Sequence, residues 1–204
     1  MRQIDVFGWA VPVVIEAYRT KGLEALEHTP YAIRNAACGR LLSYRRVTPL
    51  EIDRDRQNIM RIEWRLWEKY YQPPEGLKGA TVLDAGCGCG ESTYFDFLKG
   101  AKKVVAVESD RDAAERFRRN AKRLNWNVEF HERRFELQDL LDHDFDFVKV
   151  DIEGGEESCL ALDKLPRGTY EVHGKRLIRL FKQRYPKARW HFSLQHATPF
   201  MLNW

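Results

Sequence analysis

The sequence has no apolar run long enough to cross a membrane. Its most apolar early stretch, Val6 to Ile15, is broken by Pro12 and closed by Glu16, and no small-residue cleavage site follows it. Cysteine is scarce. Two of the four cysteines, Cys87 and Cys89, stand one residue apart, which does not make a secreted disulfide framework. Those two thiols also lack a second pair or a nearby histidine to complete a zinc site. There are no internal repeats and no low-complexity tracts. The expectation is a cytoplasmic protein without a membrane anchor, and the sequence leaves its oligomeric state open.

The 204 residues combine 44% hydrophobic with 31% charged positions, the balance of an ordinary globule. A chain of this length buries roughly 70% of its unfolded-state surface, so a real core is available without staples. The net charge of +4 hides a segregation. Residues 1–70 hold 12 basic against 9 acidic side chains, residues 71–163 hold 13 against 20, and residues 164–204 hold 9 against 1. A basic tail suits an anionic partner, but it equally suits an exposed helix face on a mildly basic protein.

Spacing divides the chain near residue 75. Before it, apolar residues at helical intervals predict helices near Val11–Glu27 and Arg54–Tyr71, with irregular chain or short strand over Thr29–Leu50. The second helix is apolar nearly all round, so Trp64, Trp67 and Tyr71 read as core. Pro73, Pro74 and Gly76 mark the boundary. We therefore divide the chain into an N-terminal helical extension, 1–75, and a main domain, 76–204.

The main domain alternates strand and helix. Strands are predicted at Thr81–Asp84, Lys103–Glu108, Asn127–His131, Asp146–Asp151 and Gly168–His173. Helices follow at Glu91–Leu98, after Asp110, and at Gly174–Tyr185. Two β-rich runs, Arg189–Gln195 and Pro199–Trp204, close the chain as a hairpin. Such alternation predicts an α/β, mostly parallel sheet with ligands at the carboxyl ends of its strands.

The first informative stretch is Val82-Leu-Asp-Ala-Gly-Cys-Gly-Cys-Gly-Glu91. Glycines alternate after a strand and just before a helix, which suits a tight turn pressed against an anionic group. A dinucleotide fingerprint requires its third glycine at position 91, where Glu91 stands, and a diphosphate would meet Asp84 and Glu91 as like charges. A ligand carrying a carboxylate and an amine fits better. Glu108 ends the next strand, where a carboxylate can accept hydrogen bonds from ribose hydroxyls.

Val82–Glu91 with Glu108 resembles the first two motifs of the class I S-adenosylmethionine-dependent methyltransferases. The resemblance implies a Rossmann-like seven-stranded sheet ending in a β-hairpin, with S-adenosyl-L-methionine as cofactor. By it, Gly86, Cys87 and Gly88 line the methionine end, Asp84 sits beneath, and Glu108 with Ser109 holds the ribose. Phe135, after the third strand, either stacks on adenine or plugs the core.

The second stretch is Phe147-Val-Lys-Val-Asp-Ile-Glu-Gly-Gly-Glu156. Lys149–Glu156, together with Tyr170-Glu-Val-His-Gly174, resembles the FkbM-type branch, which is largely O-methylating. Asp151, Glu153 and His173 are its candidate catalytic residues. Asp151 has three possible jobs: attracting a sulfonium, taking an acceptor's proton, or holding a metal. Glu156 and Glu157 are explained by a helix N-terminus that favours carboxylates. A lone histidine at a strand end is also commonly structural.

The functional expectation is O-methylation of a small-molecule or sugar-like acceptor, with the N-terminal extension shaping its pocket. One rival is an RNA methyltransferase using the basic C-terminal segment. Against it, Asp151-Ile-Glu-Gly154 stands where nucleic-acid amino-methylating enzymes carry Asn/Asp-Pro-Pro-aromatic, and the carboxylates repel phosphate. Another rival is a cofactor-binding module without turnover.

Overall fold

Short apolar runs between glycine turns become the strands of one sheet in the computed structural model. The structure describes residues 49–53, 56, 60, 64, 66–191 and 199–204. The expected helix over 11–27 and the irregular stretch before residue 49 lie outside the described residues, as does most of the helix expected to begin at 54. Its last turn, 66–70, is helical. The described residues from 66 onward form one compact unit.

The strands of this unit are β1 (Thr81–Ala85), β2 (Lys103–Glu108), β3 (Val128–Glu132), β4 (Phe147–Val150), β5 (Gly168–Glu171), β6 (Arg189–His191) and β7 (Phe200–Asn203). Their order is β3-β2-β1-β4-β5-β7-β6, with β1 to β5 parallel and β7 antiparallel to both its neighbours. Three α-helices follow in chain order: α1 (Glu91–Leu98), α2 (Arg111–Leu124) and α3 (Lys175–Arg184). Two 3-10 helices, Leu137–Leu140 and Gly155–Ala161, flank β4. Among the described residues, no helix is long and apolar enough to cross a membrane.

Alternation along the strands builds two cores. Val82, Val104, Ala106 and Phe147 point to one side, where Phe117 of α2 joins them. Leu83, Val105, Val107, Val148 and Val150 point to the other, covered by Leu177 and Phe181 of α3 and Cys159 of the second 3-10 helix. This two-sided burial is why the strands read as continuous apolar runs. Helix α2 is closed at both ends: the Asp110 side chain accepts from the Ala113 amide, and Asn125 turns left-handed at φ 52°.

Strand β1 lies between β2 and β4, so the direction of winding reverses there. In open α/β sheets the crevice outside the strand ends at such a point is where ligands bind. Gly86 leaves β1 at this point with φ +78°, and a Cβ on it would lie 1.7 Å from the Asp151 carbonyl oxygen. The Asp151 amide in turn donates to the Ala85 carbonyl at 3.0 Å. Only glycine lets the first loop pack this closely on the exit of β4.

Candidate active site

Asp84, in β1, is fully buried. Its carboxylate accepts from the Ser92 hydroxyl at 2.8 Å and the Thr93 hydroxyl at 2.6 Å, both in the first turn of α1. Lys149 Nζ stands 3.2 Å from its other oxygen. Asp84 therefore lies beneath the loop, tying β1 to α1 and β4. Lys149 also donates to the Gly86 carbonyl at 2.8 Å and approaches Asp151 Oδ2 at 3.7 Å. Burial alone would lower the pKa of Lys149, but Asp84, Asp151 and Glu171 outweigh it and hold the ammonium well above its ordinary range.

The loop turns its thiols inward. Cys87 and Cys89 are both 1% exposed, and burial followed by the charge of Asp84 pushes the Cys87 thiol far up. Cys87 is therefore not a reactive thiolate. The Gly86 and Cys87 amides donate to the Val107 carbonyl at 2.8 and 3.2 Å. The Gly88 amide donates to Glu108 Oε2 at 2.9 Å.

Glu108, at the carboxyl end of β2, also accepts from the Ser109 and Asp110 amides, each at 2.7 Å. Three amides thus occupy most of the roughly four lone-pair sites of a carboxylate. One acceptor direction remains for a hydroxyl, and a second opens if Gly88 yields. Ser109 is exposed and contributes its amide. Phe135 is half-buried and packs against the larger core cluster.

Across the crevice, Asp151 is 26% exposed. Its Oδ2 faces Lys149, and its Oδ1 faces His173 Nε2 at 3.7 Å. Glu153, at φ 53°, is 85% exposed and reaches the same nitrogen at 3.4 Å. The three candidate catalytic residues therefore converge through His173. The groups touching the Asp151 carboxylate include two cations.

Four further residues at the site carry little signal in the sequence. Lys149 looks like one apolar-strand position among others. Glu156 reads like its neighbour Glu157, as decoration of a helix start, but the two differ. Glu157 is exposed and pairs with Arg176 at 2.7 Å, whereas Glu156 is fully buried and bonds His173 Nδ1 at 2.8 Å. Tyr71 reads as core and is 3% exposed, but its hydroxyl also bonds Glu171 at the end of β5. Glu171 stands inside the Tyr170–Gly174 stretch, where its residue type alone does not single it out. Burial lowers the His173 pKa, yet the Glu156 bond and the charges of Glu156, Asp151 and Glu153 overcome it and raise it to about 9.

Asp151, Glu171 and His173 each bring a possible ligand atom within 4.8 Å of the others. Asp151 of this group also lies within ion-pair distance of Lys149 and His173, at 3.7 Å each. Among the described residues, the carboxylates of Asp84, Asp151, Glu153, Glu156 and Glu171 outnumber Lys149 and His173 in the crevice. A net cationic cofactor with hydroxyls to offer Glu108 fits these residues.

Residues 82–153 match the family model of the methyltransferase domain. A protein of Methanocaldococcus jannaschii, itself uncharacterised, is 29% identical over 98 residues, covering 48% of this chain and 42% of its own. The electron transfer flavoprotein beta subunit lysine methyltransferase of Xenopus laevis is 40% identical over 52 residues, covering 26% of this chain and 21% of its own. The chain thus spans less than half the length of these curated relatives. In fold it resembles a methyltransferase from Pyrococcus furiosus, with TM-score 0.54, 19% identity, and coverage of 84% of this chain and 93% of the other. It also resembles a candidate RNA methyltransferase from Pyrococcus horikoshii, with TM-score 0.50, 18% identity, and coverage of 83% and 96%. Over residues 82–153 the chain thus matches the methyltransferase domain, and its sheet order is the fold it shares with these solved methyltransferase structures.

Proposed function

We propose that the protein methylates a small-molecule acceptor at oxygen, with Asp151 receiving the acceptor's proton. One observation carries this reading: Asp151 stands at the carboxyl end of β4, in backbone contact with the glycine loop and flanked by Lys149 and His173. The residues that would hold the cofactor are Gly86 to Gly88, with Glu108 and Ser109 on the ribose side. When bound, S-adenosylmethionine supplies an electrophilic methyl group on a cationic sulfur.

The chain's own part is alignment and charge. Methyl transfer needs the reacting atoms about 3–3.5 Å apart and in line, so positioning supplies most of the effect. As the acceptor oxygen forms its new bond to carbon it becomes a protonated ether, which is strongly acidic. A carboxylate flanked by cations is base enough for that proton, which passes to Asp151. Glu153, exposed on the rim, fits contact with the acceptor. Lys149–Glu156 and Tyr170–Gly174 support kinship with the FkbM-type branch.

A second reading, transfer to an amine, is favoured by the excess of carboxylates over cations in the crevice, since an ammonium-bearing acceptor is attracted there. The match to a lysine methyltransferase agrees with it. Incubation with methyl-labelled S-adenosylmethionine and fractionated cell extract tests both. Label in a small-molecule ether or ester supports the first, and label in a methylamine supports the second. No transfer to any fraction overturns both in favour of a binding module.

A further inference from the structure

Glu156 is fully buried, yet among the described residues one of its carboxylate oxygens has no hydrogen-bond partner. Its other oxygen, Oε1, bonds His173 Nδ1 at 2.8 Å and accepts from the Ile152 amide at 3.2 Å. Burying a half-satisfied carboxylate is costly, and a well-packed apolar residue of the same volume is often at least as stable. Stability alone is therefore a weak account of Glu156. Its placement does something else: gripped at Nδ1, the ring can present only Nε2 to the crevice, and Nε2 is the atom facing Asp151 at 3.7 Å and Glu153 at 3.4 Å.

We propose that Glu156 is a positioning residue for methyl transfer: from inside the protein it fixes the His173 ring so that its Nε2–H steadies the Asp151 carboxylate toward the acceptor. This rests on the assignment of Asp151 as the group that meets the acceptor. Three elements converge on the ring. The second 3-10 helix brings Glu156, and the turn after β4 brings Asp151 and Glu153. Strand β5, which leads into His173, brings Glu171, whose carboxylate lies in the same group as Asp151. Lys149 holds the far side of Asp151. The consequence is an imidazolium through neutral pH. When it loses its proton, Asp151 loses a flanking cation, and transfer declines.

The test uses the full chain, with histidine-labelled NMR titration in parent and Glu156→Gln and with His173→Gln to assign the signal. Glutamine keeps an acceptor for Nδ1 but removes the charge. In the parent, His173 is expected to titrate near 9. In Glu156→Gln the midpoint is expected to fall by at least about one pH unit, while calorimetric affinity for S-adenosylhomocysteine stays within about threefold. The alkaline limb of labelled methyl transfer, measured on the extract fraction that takes the label, is expected to move down by the same interval. A parent His173 titrating near its ordinary value overturns the inference, whether or not Glu156→Gln folds. So does a variant that only slows transfer, with titration and pH limb unmoved. The titration needs no acceptor, so an absence of methyl transfer counts against the functional reading and not against this one.

Discussion

Lys149 Nζ lies 3.2 Å from Asp84 Oδ1, with both side chains at most 5% exposed. This one ion pair joins the two strands whose carboxyl ends frame the crevice. Its cation also reaches the Gly86 carbonyl and the Asp151 carboxylate. The glycine loop and Asp151 are thus held by one ammonium.

Replacing Lys149 by methionine removes that cation and leaves Asp84 buried among hydroxyls alone. Breaking a buried pair in this way costs about 3–5 kcal/mol. Urea unfolding is expected to show a loss of that size, with Lys149→Arg recovering little because the enclosed space suits a compact ammonium.

Gly86→Ala meets two obstacles, a left-handed φ of +78° and a Cβ 1.7 Å from the Asp151 carbonyl oxygen. Relief requires the loop to leave β4. Thermal melts are expected to fall by an amount equivalent to at least about 2 kcal/mol, with S-adenosylhomocysteine affinity falling alongside. An unchanged melt would mean the loop does not pack on β4.

Glu108→Ala removes a carboxylate that accepts from the Gly88, Ser109 and Asp110 amides and has a direction left for a ribose hydroxyl. Charge-assisted hydrogen bonds are worth about 1.5–3 kcal/mol each, trimmed by solvent compensation. Calorimetry is expected to record a loss of roughly ten- to a hundredfold in S-adenosylhomocysteine affinity. An unchanged affinity would mean the ribose is held elsewhere.

The pH dependence of stability follows from His173. Its pKa rises from 6.5 to about 9 on folding, so the contribution is complete below 6.5 and is lost as pH rises through 9. Melting temperatures of the parent between pH 6 and 10 are expected to decline over that window. His173→Gln is expected to flatten the decline. A parallel decline in the variant would assign it to other groups.

Much of this is legible from local pattern. The strand, glycine loop and α1 are readable because apolar runs, a turn only glycine makes and a helix start all lie within adjacent residues. Glu108 and Asp151 are readable as acidic ends of apolar strands. The strand ends are less so: β5 stops at Glu171, where its pairing with Phe200 ends, and not at His173. Glu156 escapes a local reading because charge at a helix start is the commoner case. Its inward direction depends on the left-handed turn through Glu153 and Gly154 and on a histidine 17 residues onward. Lys149 escapes it because a lysine inside an apolar strand ordinarily marks an exposed edge. Only the sheet order brings Asp84, Asp151 and Glu171 around it.

The most direct measurement is calorimetric titration of the full chain with S-adenosylhomocysteine, with NAD titrated in parallel. The crevice between β1 and β4 predicts saturable binding of S-adenosylhomocysteine at one site per chain and no detectable heat from NAD. Binding of NAD with none of S-adenosylhomocysteine would contradict the account at its root.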